Sequence, residues 1–261
     1  MASHAPTLNR PNLLTFSALI AIAVLAIAVI PPLPQDPVYH VFADSRPLWG
    51  IPHFWNVVTS LPFLAAGIAG LAVCLPRPAP GGLPDLQPVY LAFFSGVALV
   101  GFGSTWYHLD PSRTTLVWDR LPMAVAFMAF LCLVVGERLS AAWARRLLAP
   151  LVLAGVASVL YWHMTELRGG GDLRPYLLVQ YLPMLLIPAI LLIHTPRLDG
   201  DVYLWLILLT YGLAKVAEFF DAELFALLGV LSGHSLKHLL ASLAAVWLIV
   251  ALVKRRATTT S

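Results

Sequence analysis

Two pairs of polar residues stand at helical spacing in an apolar chain, and each pair contains histidine. His234 and His238 are four residues apart, and Ser104 and His108 have the same spacing. On an α-helix such a pair lies on one face, one turn apart, which lets two imidazoles bind one ion. The HxxxH pair alone also fits two interfacial histidines near the start of a helix. Asp119 adds a carboxylate eleven residues after His108.

The residue types in these pairs are those of a catalytic metal site. Three neutral imidazoles with an open fourth position are typical of catalytic zinc, which activates water and polarises a carbonyl. We interpret His108, His234 and His238 as the ligands and Asp119 as the group that takes a proton from water and returns it to a leaving group. Ser104 is assigned to oxyanion or water binding, although serine in a membrane helix often bonds to its own backbone instead.

The composition of the chain shows what surrounds these residues. Of 261 residues, 59% are hydrophobic and 11% are charged, whereas a soluble domain is about one quarter charged. The net charge of +3 indicates membrane topology rather than a nucleic-acid partner, because no basic patch with interleaved aromatic residues is present. The cysteines, Cys74 and Cys132, are too few for a disulfide framework or a thiolate site. Any metal is therefore held by histidine and oxygen.

Repeated apolar runs predict the fold. The first run, at 13–30, lacks a small-x-small cleavage pattern, which favours a retained anchor helix over a signal peptide. Seven further runs are long enough to cross a bilayer: 54–75, 88–108, 116–136, 147–163, 176–194, 202–220 and 234–253. We predict an all-α integral membrane protein, a seven-transmembrane-helix bundle with one extra N-terminal transmembrane helix.

The same pattern divides the chain into three parts. We assign 1–34 to a tail and anchor helix, 35–253 to the seven-helix membrane domain, and 254–261 to a basic cytoplasmic tail. Turn signals at 76–82 and 169–171 separate the apolar runs where the pattern requires loops.

The distribution of Lys and Arg predicts the orientation, because short cytoplasmic loops retain positive charge. With the N-terminus inside, nine Lys and Arg residues lie on the cytoplasmic side and four Arg residues lie on the outer side. The cytoplasmic set is Arg10, Arg77, Arg138, Arg145, Arg146, Arg197, Lys254, Arg255 and Arg256, and the outer set is Arg46, Arg113, Arg168 and Arg174. Both termini are then cytoplasmic, and the polar motif residues from three helices share one depth near the outer face, as expected of functional groups inside membrane spans.

The motifs resemble those of a known family. Ser104-x3-His108, Asp119 and His234-x3-His238, laid out over the last seven helices, are similar to the motif set of the alkaline ceramidases. That family belongs to a superfamily of seven-helix membrane hydrolases that includes the progestin and adiponectin receptors.

A second segment supports the resemblance. Gly50-Ile-Pro-His53-Phe-Trp-Asn56, with residues 42–46 ahead of it, is similar to the start of the bacterial branch of the family, so the resemblance covers about 35–253. It implies seven helices around zinc, with His108, His234 and His238 as ligands. It also implies hydrolysis of the amide bond of a ceramide-type membrane lipid to a sphingoid base and a fatty acid, and a bacterial plasma membrane with the site facing outward.

Two features depart from the family pattern: the extra N-terminal helix, which adds a span without touching the motif residues, and one position in the segment before the seven helices. Eukaryotic ceramidases have an acidic calcium-binding cluster that ends in a glutamate just ahead of a Phe-Trp-Asn sequence. Here His53 replaces that glutamate, and Asp44 and Asn56 are the remaining oxygen ligands. Calcium prefers six to eight oxygens, so these residues do not favour a calcium site.

Other charged residues are candidates for supporting roles. Asp44 and Arg46 form either a lid or pair beside the site or a solvated loop pair. Lys215 and Glu218 share a helix face, and Lys237, which points away from the two histidines beside it, is placed to neutralise Glu218. These three residues form either a buried charge network that stabilises the bundle or polar contacts to substrate.

Two other functional classes also fit parts of the pattern. One is a seven-helix lipid receptor or sensor that keeps a structural zinc with little turnover. The other is a transporter or assembly factor whose histidines bind a transported metal, which predicts further acidic or histidine residues along a path through the membrane. The cytoplasmic halves of the runs carry no such series, and the enzyme is the leading hypothesis.

Overall fold

The computed structural model describes residues 10–75 and 79–256, and these parts of the chain form nine α-helices and no β-strand. Residues 1–9, Arg77 and residues 257–261 of the predicted tails and loops lie outside the described residues, as does the side chain of Arg10. The helices are α1 (Arg10–Val29), α2 (Phe54–Cys74), α3 (Gln87–Leu109), α4 (Arg113–Arg138), α5 (Ala141–Leu167), α6 (Arg174–Ile193), α7 (Val202–Phe219), α8 (Asp221–Leu228) and α9 (Gly233–Lys254).

The predicted fold class is confirmed. Seven helices, α2 to α7 and α9, are long and apolar enough to cross a membrane, and the N-terminal helix α1 is a further, shorter apolar helix over Leu14–Val29. Their bounds lie within a few residues of the predicted runs, except that α5 begins six residues earlier. The short helix α8 was not predicted, because its eight residues fall between two apolar runs.

The spanning helices pack around a common interior. Helices α2, α3, α4 and α5 pack in sequence order, and α9 packs against both α2 and α7. Helix α6 packs against α4 and α5, and α1 packs against α6. The backbones of α6 and α7 lie further apart, and side chains connect them, since the Gln180 amide donates to the Tyr211 hydroxyl at 3.2 Å.

Helix direction separates two ends of the bundle. His108 lies near the last residue of α3, and His234 lies near the first residue of α9. We call this the histidine end. Arg138, near the last residue of α4, and Arg255, directly after α9, lie at the opposite end.

Buried ion pairs close the opposite end. The guanidinium of Arg255 donates to both carboxylate oxygens of Glu137, at 2.9 and 2.7 Å, and the hydroxyl of Tyr90 donates to the same carboxylate at 2.8 Å. Arg138 is buried as well and pairs with Asp201. Arg255, which the sequence placed in a basic tail, is thus packed into the bundle against α4.

We expect Arg255→Ala to lower the free energy of unfolding by about 3–5 kcal/mol, because Glu137 would remain buried without its cation. Arg256→Ala is the matched control, since the Arg256 side chain is exposed and its hydrogen bond to Asp199 uses the backbone N–H. Thermal unfolding of the purified proteins in detergent measures the difference. Equal midpoints for the two variants would contradict this assignment.

Candidate metal centre

Three histidines from two helices meet at the histidine end. The ring centroids of His108, His234 and His238 are 4.9 to 5.0 Å apart, and one nitrogen from each ring lies within 4.8 Å of the other two. All three side chains are buried. The sequence separated His108 from the other two by more than a hundred residues, and the fold brings them to one point.

Two glycines allow the helices to approach closely enough for this meeting. Gly103 precedes Ser104 on α3, and a Cβ there would lie 1.9 Å from the carbonyl oxygen of Trp118 on α4. Gly233 precedes His234 on α9, and a Cβ there would lie 2.1 Å from the carbonyl oxygen of Ala217 on α7. Neither distance is compatible with a side chain, so both positions require glycine. Each therefore sets the position of the polar residue that follows it.

Hydroxyl groups on α2 orient His238. The Nδ1 atom of His238 is 3.1 Å from the Thr59 hydroxyl and 3.4 Å from the Ser60 hydroxyl, which leaves Nε2 available as a ligand atom. Ser60 donates to the Ser104 hydroxyl at 3.0 Å, and the amide oxygen of Asn56 accepts from Ser235 at 2.7 Å. Such contacts fix the tautomer and orientation of a metal-binding imidazole.

The loop before α2 covers the histidines. The ring of Phe42 makes edge contacts with His108 and His234, at centroid distances of 4.8 and 4.6 Å. Asp221, the first residue of α8, accepts from the backbone N–H of His234 at 2.6 Å and from that of Ala43 at 3.0 Å. One carboxylate thus joins the covering loop to the start of α9.

The two predicted supporting residues lie beside the histidines. Asp119 on α4 is buried, and its carboxyl group contacts the Ser104 side chain. Ser104 also accepts the hydrogen bond from Ser60, so its hydroxyl faces the site rather than its own helix. Asp119, Ser104 and His238 line the same cavity.

The predicted charge network of α7 and α9 also lines this cavity. Glu218 contacts Lys215 on its own helix and accepts from Lys237 at 2.9 Å. The predicted direction of the Lys237 side chain was wrong, because Lys237 does not point away from the histidines. Its Nζ atom lies 3.1 Å from Nε2 of His234. Three charged side chains are therefore both a network between helices and part of the cavity wall.

The arrangement fits a bound metal ion. Three buried imidazoles are a complete nitrogen donor set for an ion such as zinc, and Nδ1 of His108 is buried without a hydrogen-bond partner. His108, His234 and His238 would hold the ion, and Asp119 and Ser104 lie beside it rather than among its ligands.

Comparison with known proteins decides the family. The family model described as Ceramidase matches residues 50–193, which is more than half of the chain. The chain belongs to the ceramidase family. No curated protein and no solved structure matches it. Family membership implies a hydrolase, and the seven apolar helices fit a multi-pass membrane protein.

The family match and the geometry contribute different parts of the site. Ser104, His108 and Asp119 lie within the matched residues, whereas His234 and His238 lie beyond them. The structure supplies the missing connection, because the rings of His234 and His238 are within 5.0 Å of His108.

Asp44, one of the two oxygen ligands considered for calcium, is paired with an arginine. Both carboxylate oxygens of Asp44 accept from the guanidinium of Arg46 at 2.8 Å, and Arg46 also donates to the carbonyl oxygen of Val230 at 2.9 Å. Asn56 is buried deeper and bonds to Ser235, so it is not at this position. His53 is close by and its Nδ1 contacts the carbonyl oxygen of His108 at 3.1 Å. These residues do not fit calcium.

Several residues around the histidines were not found from the sequence. Phe42 and Asp221 carry no spacing signal relative to the motifs, since they come from a loop and from the short helix α8. Thr59 and Ser60 follow Asn56 at helical intervals, and this polar face of an apolar helix was the signal that could have revealed them.

We expect His108→Ala to lose the bound metal, because two imidazoles remain where three are needed. His163→Ala on α5 is the control, since His163 lies outside the histidine cluster. Elemental analysis of the purified proteins measures metal content, with about one ion per chain expected in the wild type and the control. Unchanged metal content in His108→Ala would exclude this ligand.

The ion pair between Asp44 and Arg46 in the covering loop predicts how the stability of the fold depends on pH. Burial alone would raise the pKa of Asp44, but the hydrogen bonds and charge of Arg46 outweigh it and hold that pKa below its ordinary value of 3.8. A carboxyl group with a lowered pKa stabilises the folded state above its unfolded pKa, and the stabilisation is lost as the pH falls through the folded pKa.

The wild type should therefore unfold at a higher temperature than Asp44→Asn at pH 7, and this difference should shrink below pH 3.8. Asp85→Asn is the control, because Asp85 forms an exposed pair with Arg145. Added calcium should not raise the midpoint of the wild type. A clear rise with calcium would show that Asp44 binds the ion in place of Arg46.

Proposed function

We propose that this protein is a zinc-dependent hydrolase that cleaves the amide bond of ceramide-type lipids. One observation carries the proposal: three buried imidazoles form one cluster, and one of them, His238, lines together with Asp119 a cavity whose walls are largely apolar. Family membership supports the same reaction class.

The cavity is suited to an acyl chain. Its volume is about 290 Å³, and aromatic and aliphatic side chains from six helices line it. Among them are Phe93, Phe127, Phe130, Ile187 and Leu208. The backbones of α6 and α7 are separated and are connected by side chains such as Gln180 and Tyr211, so we place the entry of the lipid from the bilayer between these two helices.

The side chains at the polar end have separate tasks in this reaction. A bound zinc ion would supply Lewis acidity toward the amide carbonyl and activate water. Asp119, which is not a ligand, accepts a proton from the attacking water and delivers it to the leaving nitrogen. Ser104, whose hydroxyl contacts the Asp119 carboxyl group, helps to orient the attacking water. Phe42 covers His108 and His234 and keeps bulk water away from them.

The predicted orientation completes the proposal. With both termini cytoplasmic, as the distribution of positive residues favours, the histidine end faces outward from a bacterial plasma membrane. The metal centre then acts on lipids of the outer leaflet. Helix α1 packs against the outside of α6 and contributes no residue to the metal centre.

We expect the purified protein to release fatty acid from labelled ceramide, and Asp119→Asn to lower the rate about 100-fold or more, since proton transfer is typically worth 10² to 10⁴. The variant should keep its metal, because Asp119 is not a ligand. Arg113→Gln, an exposed position on the same helix, should retain activity. His238→Ala should lose both metal and activity.

Two outcomes would contradict hydrolysis by this site. Activity that survives both Asp119→Asn and His238→Ala would place the reaction elsewhere. Stoichiometric zinc with no hydrolysis of any lipid amide would favour the lipid sensor with a structural metal.

A further inference from the structure

A buried arginine beside the metal centre has no acidic partner. Arg120 follows Asp119 directly on α4 and is 6% exposed. Among the described residues it makes no ion pair with a carboxylate. Its Nη2 donates to the amide oxygen of Gln35 at 2.6 Å, and its Nη1 is buried with no hydrogen-bond partner. Buried arginines are ordinarily paired, because an uncompensated buried charge is costly.

Aromatic rings hold the guanidinium of Arg120 in place without accepting hydrogen bonds from its N–H groups. The central carbon of the Arg120 guanidinium is 4.3 Å from the ring centroid of Trp162, 4.9 Å from that of Tyr176 and 5.4 Å from that of Tyr39. Ring faces attract and orient a guanidinium, but they accept none of its five N–H bonds in the way an oxyanion does. The cage is open on one side, since Gln35, Tyr39, Arg120 and Tyr176 all line the cavity.

The charges that line the cavity do not balance. The cationic side chains are Arg120, Lys215 and Lys237, and the anionic ones are Asp119 and Glu218, so three positive charges face two negative ones. Both lysines contact Glu218, whereas Arg120 contacts neither carboxylate. The excess positive charge is therefore at Arg120, and a bound metal ion would increase it.

One face of α4 extends from this charge into the apolar part of the cavity. Met123, Phe127 and Phe130 line the cavity at three, seven and ten residues after Arg120, positions that share a helix face. At 1.5 Å per residue the face is about 15 Å long, with a cation at one end and apolar side chains along the rest. This is the complement of an amphiphile with an anionic head and a hydrocarbon chain.

We propose that Arg120 binds the oxyanion of an acyl-chain lipid, with the chain lying along Met123, Phe127 and Phe130. The two free N–H groups of Nη1 would donate to the oxyanion while Gln35 and the aromatic cage hold the guanidinium plane. The oxyanion is a carboxylate or a phosphate. A carboxylate would be that of a free fatty acid, and a phosphate would belong to the head group of a lipid.

Binding at Arg120 rests on the same cavity as the proposed function, but it requires no hydrolysis. A ligand test therefore separates the two. Loss of fatty-acid release with intact oxyanion binding would overturn the reaction alone, and the reverse result would overturn the role of Arg120 alone.

The experiment is displacement of a fluorescent fatty acid from the purified full-length protein in neutral detergent at pH 8. The competitors are palmitate, hexadecyl phosphate and hexadecanol, which share a chain and differ in head group. We expect palmitate or hexadecyl phosphate to compete at least about tenfold better than hexadecanol, the range expected for hydrogen bonds to a charged group. The stronger of the two anions identifies the source of the oxyanion.

Variants assign the preference to Arg120. In Arg120→Gln the preference for anions over hexadecanol should disappear, in Arg120→Lys part of it should remain, and in Arg113→Gln it should be unchanged. Each measurement is repeated after removal of metal by a chelator, because a metal ion also attracts anions. Thermal unfolding without ligand shows which variants are folded.

Three results would overturn the assignment. The first is wild-type protein that binds hexadecanol as tightly as both anions. The second is a preference that persists in folded Arg120→Gln, and the third is one that vanishes from the wild type when metal is removed. Should Arg120→Gln fail to fold, the competitor series on metal-free wild type and on Arg120→Lys decides the question.

Discussion

In an apolar bundle every buried polar group must find its partner within the chain or in a ligand, because hydrocarbon supplies none. This constraint organises both ends of the molecule. At the opposite end, the guanidinium of Arg255 donates to both carboxylate oxygens of Glu137. At the histidine end, Nδ1 of His108 and Nη1 of Arg120 have no hydrogen-bond partner within the described chain, and both nitrogens are candidates for contact with a ligand.

The close approach of the helices depends on two positions that have no side chain. Gly103 and Gly233 let α3 meet α4 and α9 meet α7 at distances that exclude a side chain. The residues that follow these glycines, Ser104 and His234, are carried into the interior by that contact. The helix contacts at these glycines therefore also determine where Ser104 and His234 lie in the site.

The helices and the three histidines could be predicted from the sequence, because hydrophobic length fixes membrane spans and a four-residue interval fixes a shared helix face. The partners of those histidines could not. Phe42 lies in a loop and Asp221 begins the short helix α8, and neither element gives a periodic signal in the sequence. Arg120 was visible beside Asp119, but its burial depends on Trp162 and Tyr176 from two other helices, and no spacing rule links the three. The interpretation of Lys237 was wrong because a long flexible side chain can reach back to its own helix neighbour.

The covering loop contains its own cation, the guanidinium of Arg46. Arg46 ties Asp44 to the carbonyl oxygen of Val230 between α8 and α9, and that charge cannot diffuse away. A dissociable ion stabilises a fold only in proportion to the logarithm of its free concentration, whereas a tethered guanidinium is always present. The loop above the histidines is therefore held by an ion pair within the chain, and acid that protonates Asp44 weakens this pair.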